Sequence, residues 1–163
     1  MYNIRPIRDV LNAMTGPQYR QFTDEFNART AITADAHILW TGPRNSKGYG
    51  IVRLAGQEVK AHRVAWALTY ARDPHPELVL DHLCRVPSCV NVDHLEEVTN
   101  PENVLRGNGP TAINAAKLEC DRRHLLAGEN LYINSRGERI CRICHRFRNR
   151  RYKARQRAAR LAA

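Results

Sequence analysis

The chain has no long hydrophobic run. Its longest nearly apolar stretch, VAWALTYA from Val64 to Ala71, is far shorter than the roughly 20 residues needed to cross a bilayer. A membrane span is therefore not expected, and nothing has the pattern of a secretory signal, so a cytoplasmic location is expected. Cysteine is scarce as well, at five residues in 163. In a reducing compartment these five are poor candidates for disulfides. Four of them fall into two spaced pairs with histidines nearby, Cys84 with Cys89 and Cys141 with Cys144, a pattern that reads as zinc ligation. Acidic residues are the third shortage: 16 Asp and Glu stand against 26 Lys and Arg, for a net charge of +10 and a pI near 9.9. That imbalance asks for a polyanionic partner. With 43% hydrophobic residues, the length suffices for one modest core or for two small ones helped by metal.

Three zones follow one another. In residues 1–35, Ile4, Ile7, Val10, Leu11 and Met14 predict one short helix before Gly16-Pro17, and Gln18 to Asn27 a second. This N-terminal helical arm carries no functional signal and reads as support for the fold. In the middle zone, YGIVRL and QEVKA predict two strands joined through Ala55-Gly56, followed by a helix bearing Val64, Ala67, Leu68 and Ala71. A strand over 77–83, an irregular turn at Pro87-Ser88 and Asn91, and a returning strand LEEV come next. Asn100 is expected to cap the following helix, with Pro101 in its first position and Gly107 past its end.

The stretch from Leu78 to Gly107 has the skeleton Asp81-His82-x-Cys84-x4-Cys89-x4-His94-x8-Asn103. Packing alone gives no reason for two histidines, two cysteines, an aspartate and an asparagine in that order among turn residues. Metal-dependent DNA cleavage does. Taken with Trp40 to Gly42, Gly48 to Gly50 and Ala61 to Arg63, the residues resemble the HNH endonucleases, in particular a small actinobacterial and phage type. The Cys-x4-Cys-x4-His interval is also similar to the zinc site of the His-Cys box homing endonucleases. The resemblance runs from about residue 37 to 155.

That resemblance implies a small α+β fold with a ββα-metal core over 36–110, in which His82 is the general base. Its imidazole is suited to that role, since its ordinary pKa near 6.5 lets it accept a proton from water at neutral pH. Asp81 and Asn103 would supply oxygen ligands to a catalytic Mg²⁺ or Mn²⁺ ion. Arg63 would contact the scissile phosphate, although His62 and Arg63 read equally well as anchors of the helix start and of Trp66. The second member of the H-N-H triplet departs from the family name, because His94 stands nine residues before Asn103. With Cys84, Cys89 and His94 present, a structural zinc can clamp strand, turn and returning strand together. No cysteine precedes Cys84, and His37 is the candidate fourth ligand, since similar sequences usually carry a cysteine there; the alternative is a histidine with no metal. Val92, where the family generally has proline, affects turn stiffness only.

A separate constellation, Cys120-x3-His124-x16-Cys141-x2-Cys144, brackets a predicted hairpin LYINSRGERI. Two close ligand pairs on either side of a hairpin can reach one tetrahedral ion, and so short a segment cannot hold its shape by apolar burial alone. CRICH also fits the Cys-x-x-Cys-His haem attachment pattern, but that chemistry normally requires export, which nothing here suggests. The segment from Arg142 to Arg160, which runs through Cys144, holds nine Lys or Arg and no acid. Arg146, Arg148, Arg150, Arg151, Lys153 and Arg155, interleaved with Phe147 and Tyr152, read as a helix that tracks nucleic acid; the plainer reading is a solvated tail. The expected organisation is thus a helical arm (1–35), a nuclease core (36–110) and a zinc-binding, DNA-gripping segment (111–163).

The function implied is hydrolysis of phosphodiesters in double-stranded DNA, by nicking or by cutting both strands, with two structural zinc ions. The protein would act as a monomer or homodimer, in a bacterial or phage-infected cell. A homing enzyme, or a role beside phage packaging or recombination machinery, is the setting that the resemblance implies. Two other classes stand beside it: a non-catalytic DNA-binding or packaging accessory on the same scaffold, and an RNA-processing nuclease.

Overall fold

The computed structural model describes residues 5–162. The expected helical position Ile4 lies outside them. The chain is a small mixed α/β protein that divides into two compact units between Asn103 and Val104. Among the described residues no helix is long and apolar enough to cross a membrane.

The first unit begins with α1 (Ile7–Asn12). Ile7, Val10 and Leu11 follow the helical spacing and are buried. α2 (Gly16–Ala28) starts from a capping box: the Thr15 hydroxyl and the Gln18 side chain serve the orphan amides of the first turn, with Pro17 beside them. Phe26 of α2 is buried against Trp40, with ring centroids 5.0 Å apart. A hairpin that the sequence did not announce follows, β1 (Thr30–Ile32) antiparallel to β2 (Ile38–Trp40). Three-residue strands carry too little alternation to be read from periodicity.

Next come β3 (Ile51–Leu54) and β4 (Gln57–Lys60), paired antiparallel. Ala55 and Gly56 turn the chain with φ of 48° and 79°, the left-handed pair that a tight hairpin requires. α3 (Ala61–Tyr70) packs its Ala61, Val64, Ala65 and Ala67 face into the core. β5 (Val79–His82) pairs with β6 (Leu95–Val98), placing His82 opposite Leu95 and Asp81 opposite Glu96. α4 (Asn100–Arg106) comes last and straddles the boundary between the units. Asn100 lies within α4 rather than capping it. The hydroxyl that accepts from the helix is that of Thr99, which receives the Glu102 N–H at 3.3 Å.

Trp40 organises this unit. It is 1% exposed, and its indole Nε1 donates to the Pro43 carbonyl at 3.0 Å. Two glycines make its slot. A Cβ on Gly50 would stand 2.6 Å from the indole, and one on Gly42 would stand 2.8 Å from it. The Trp40-Thr41-Gly42 and Gly48-Tyr49-Gly50 elements are therefore two halves of one packing arrangement. The Gly50 carbonyl also accepts from the Ala61 N–H, which ties the start of α3 to the same spot.

On the other side of the β5–β6 pair, Glu97 accepts two hydrogen bonds from Arg72 and one from the His75 N–H. Arg72 also covers the Trp66 ring at 5.2 Å. The Arg72 hydrogen bonds hold the Glu97 carboxyl down to about 2. Because this folded value lies below the ordinary carboxylate value, its stabilisation is complete above the unfolded pKa and is lost as pH falls toward 2. Wild type should therefore exceed Glu97→Gln in denaturant midpoint at pH 7, with the gap closing between about pH 4.5 and 2. Acid effects on other groups act on both proteins alike, so a gap independent of pH would refute the assignment.

The second unit contains α5 (Pro110–Ala116), the hairpin of β7 (Leu131–Ile133) and β8 (Arg139–Cys141), and α6 (Arg142–Leu161). Gly137 takes φ of 77° in the hairpin turn. Arg139 donates to the Asn114 and Ala115 carbonyls at the end of α5, satisfying groups that a helix C-terminus leaves open.

Candidate functional site

Backbone pairing assembles the first cluster. The Trp40 N–H donates to the Ser88 carbonyl and the Val90 N–H to the Ile38 carbonyl, while the Asn91 side chain donates to the Ala36 carbonyl at 2.9 Å. Residues 36–40 are thus laced to 88–91, and His37 arrives beside Cys89. Cys84 comes from the turn after β5, and His94 from the short helical turn Val92–His94 just before β6. The ligand atoms of His37, Cys84, Cys89 and His94 all lie within 4.8 Å of one another. Cys89 Sγ and His94 Nδ1 are 3.6 Å apart, and a tetrahedral zinc with its usual bond lengths sets a sulfur–nitrogen edge of roughly 3.6 Å. His37 Nδ1 is buried with no hydrogen-bond partner, while its Nε2 faces Asp35 at 3.7 Å. An orphaned buried nitrogen within reach of two thiols and an imidazole is what a metal ligand looks like with the ion left out. The donor set fits zinc.

The second cluster, Cys120, His124, Cys141 and Cys144, also lies within 4.8 Å. Its edges are 3.4 Å for Cys120–His124, 3.7 Å for Cys120–Cys144, 3.2 Å for His124–Cys144 and 3.7 Å for Cys141–His124. Two of the ligands sit on a tight turn closed by the Arg123 N–H to the Cys120 carbonyl, with Arg123 at φ 59°. The other two open α6, whose N-terminal Cys144 N–H points at Cys141 Sγ. Burial favours the neutral Cys141 thiol, but the Cys144 N–H and neighbouring side chains bring it down to about 6, close to the thiolate that a metal needs. Both clusters could hold a zinc ion. His145 stands outside the second.

The catalytic candidates sit on β5. Asp81 is 4% exposed and His82 is 6% exposed. His82 Nε2 lies 3.0 Å from the Cys89 carbonyl. A carbonyl only accepts, so Nε2 carries the proton and the neutral ring keeps its lone pair on Nδ1. Burial pushes the His82 imidazole below its ordinary value, partly opposed by that hydrogen bond and by Asp81. The ring is therefore neutral at physiological pH. Asp81 Oδ1 accepts from Arg85 Nη1 at 2.6 Å.

Side chains whose part the sequence did not disclose surround His82. The His62 ring meets it edge-on at 4.7 Å, and the Tyr49 ring lies 5.8 Å away. His62 is 3% exposed and is pushed down to about 2, chiefly by burial. It is a neutral wall of the site. Lys60 lies over Tyr49 at 4.8 Å, and burial, Arg63 and Lys47 together lower its pKa. Lys60 and Arg63 thus stand at the start of α3, within the electrostatic influence of Lys47, and the first turn of the helix has no acid. The Gly48-Tyr49-Gly50 and Ala61-His62-Arg63 elements contained this signal, but sequence does not say which ring faces which. Asn103 is half-buried on α4, with its N–H bonded to the Thr99 carbonyl. The cations of α6 are exposed along its length; Phe147 lies beneath the Arg122 and Arg151 guanidinium groups, at 4.9 and 5.8 Å.

The segment from the end of β4 through α3, β5 and β6 into α4 is also the part of the chain that resembles a known family. Residues 59–105 match the HNH endonuclease family. This HNH segment contains Arg63, Asp81, His82, Cys84, Cys89, His94 and Asn103. The chain is also similar to "Protein 7.7" of Escherichia phage T7, with 41% identity over 66 residues, which is 40% of this chain and 50% of the phage protein. It thus spans half the length of that relative. No solved structure matches the chain.

Proposed function

We propose that the protein is a metal-dependent endonuclease that hydrolyses phosphodiester bonds in double-stranded DNA, with His82 as general base. The observation that carries this reading is the hydrogen bond from His82 Nε2 to the Cys89 carbonyl, which leaves Nδ1 as the basic atom of a neutral ring. His82 Nδ1 takes a proton from the attacking water, whose oxygen forms the new bond to phosphorus as the bond to the 3′ oxygen breaks. The products carry a 5′ phosphate and a 3′ hydroxyl. Asp81 and Asn103 would hold a Mg²⁺ or Mn²⁺ ion, which when bound stabilises negative charge on the phosphate and on the departing oxygen. Arg63, with Lys60 beside it, orients the phosphate through charge-assisted hydrogen bonds.

Two zinc ions support this chemistry without taking part in it. The first, on His37, Cys84, Cys89 and His94, fixes the ββα-metal core of β5, β6 and α4. The second, on Cys120, His124, Cys141 and Cys144, makes a knuckle from which α6 projects. Arg146, Arg148, Arg150, Arg151, Lys153 and Arg155 then contact DNA phosphates. In this scheme residues 1–35 are an arm, 36–110 the nuclease and 111–163 the DNA grip. The T7 relative supports a phage setting, where DNA packaging or recombination is the process served.

The test is incubation of purified protein with supercoiled plasmid, linear duplex and RNA, with Mg²⁺, Mn²⁺ or EDTA. Expected is conversion of the plasmid to nicked or linear forms with either ion and none with EDTA. Intact DNA under every condition would reduce the protein to a binding module, and cleavage of RNA alone would reassign its substrate.

A further inference from the structure

We infer that α6 reads sequence as well as gripping phosphates: His145, Asn149, Tyr152 and Gln156 form a neutral face that contacts base edges in the major groove of double-stranded DNA, so that the protein selects a short sequence. The inference rests on the reading of α6 as a DNA-binding element and not on the assignment of the catalytic residues.

The face follows from helical periodicity. The four residues are spaced by four, three and four positions, so at about 100° per residue they fall within an arc of about 60°. In the structure α6 is continuous from Arg142 to Leu161, and Asn149 Nδ2 stands 3.5 Å from His145 Nδ1, one turn away. All four residues are exposed. The opposite side of the helix is turned toward its own unit. Cys144 Sγ lies 3.7 Å from Cys120 Sγ, and Phe147 lies under the Arg122 guanidinium at 4.9 Å, both of them contacts with the 120–123 turn. The neutral face therefore points outward.

Charge is arranged around that face. Arg146, Lys153 and Arg160 border it on one side, and Arg148 and Arg155 on the other. No Lys or Arg falls within it, although Arg142 to Arg160 hold nine. A helix that only tracked phosphates would turn its cations outward, whereas here the outward strip is given to side chains that can both donate and accept. Rows of cations on either side of such a strip match the two phosphate backbones that wall a groove and the base edges on its floor. The major groove of B-DNA admits a helix, and that of A-form RNA does not. At roughly 1.5 Å per residue the face is about 16 Å long, which spans about five base pairs of roughly 3.4 Å each. Asn149 and Gln156 carry the amides whose paired donor and acceptor match N6 and N7 of adenine. They stand about 10 Å apart along the helix axis, which places two read adenines about three base pairs apart.

The experiment is selection of duplexes from a random-sequence DNA library by the full-length protein without added Mg²⁺ or Mn²⁺, followed by binding curves for the selected duplex, a random duplex and duplex RNA of the selected sequence. Expected is a motif of about five base pairs with two adenines about three pairs apart. Asn149→Ala and Gln156→Ala each weaken the selected duplex by about 5- to 150-fold, stay within about twofold of wild type on the random duplex, and lose the preference at one position. 7-Deazaadenine at that position, which lacks the N7 acceptor of the major groove, weakens wild type but not the variant that no longer reads it. Arg148→Ala, by contrast, weakens every duplex alike. If no motif is selected, or if Asn149→Ala and Gln156→Ala weaken all duplexes equally, base reading is overturned, and salt-dependent binding of random duplex leaves the DNA grip standing. If 7-deazaadenine leaves wild type unaffected, the major-groove placement is overturned. Failure to bind any DNA duplex, or tighter binding of the RNA, overturns the grip and this inference together. The substituted side chains are exposed, so circular dichroism of the variants is expected to match wild type.

Discussion

His82→Ala is expected to lower the rate of DNA cleavage by about 10² to 10⁴-fold while leaving duplex affinity nearly intact. The two readouts separate because the groups proposed to hold phosphates, Arg63, Lys60 and the cations of α6, are different side chains from the one that moves the proton. His82 is buried, and its Nε2–H serves the Cys89 carbonyl, so alanine also leaves a small void and an unmet acceptor. His82→Asn and His82→Gln keep an N–H donor in that place but offer no basic nitrogen. They should be as inactive as alanine with a smaller loss of thermal stability. Plasmid cleavage rates measured beside anisotropy binding curves decide the matter: a His82 variant that cuts at the wild-type rate would rule out the proposed base.

The second large effect concerns the first metal cluster. Structural zinc sites contribute about 10–16 kcal/mol of apparent binding free energy in small peptides, which is as large as the whole stability of an ordinary domain, roughly 5–15 kcal/mol. Cys89→Ser should therefore do more than loosen a loop. Cys89 is fully buried, its carbonyl fixes the His82 ring, and its chain neighbours Ser88 and Val90 bond to Trp40 and Ile38 of β2. Expected are the loss of one of two bound zinc equivalents, the loss of amide protection over β5 and β6, and no detectable cleavage. Cys141→Ser should also lose one equivalent, but with protection of β5 and β6 retained, since its ligand set lies wholly in the second unit. Zinc analysis with hydrogen exchange checks both, and a Cys89→Ser protein with two zinc equivalents and wild-type protection would exclude a structural metal on this cluster.

Much of this was legible because the chemistry is local. Cys84, Cys89 and His94 fall on one turn, and Cys120 with His124 and Cys141 with Cys144 fall on two more, so spacing alone brings each set near one ion. The β3–β4 hairpin announced itself through Ala55-Gly56, α3 through its apolar face, and α6 through the want of any acid between Arg142 and Arg160. Where the sequence misled, at Asn100, the difference is one residue in a helix start whose hydroxyl is supplied by Thr99. The β1–β2 hairpin and α5 went unannounced, because three-residue strands and a seven-residue helix leave little periodic trace.

By itself, the order of residues determined the ligand types, the charge balance and the strand, turn, strand and helix sequence of the HNH segment, since spacing, turn chemistry and charge are properties of neighbours along the chain. Only the tertiary structure decided the rest. His37 reaches Cys89 across some fifty residues of chain because backbone hydrogen bonds lace 36–40 to 88–91. Which nitrogen of His82 is basic depends on a carbonyl seven residues away. His62, Tyr49 and Arg85 became parts of the site through ring orientation and a left-handed turn. These are matters of direction in space, and a side chain's direction is settled by the packing around it, not by its place in the sequence.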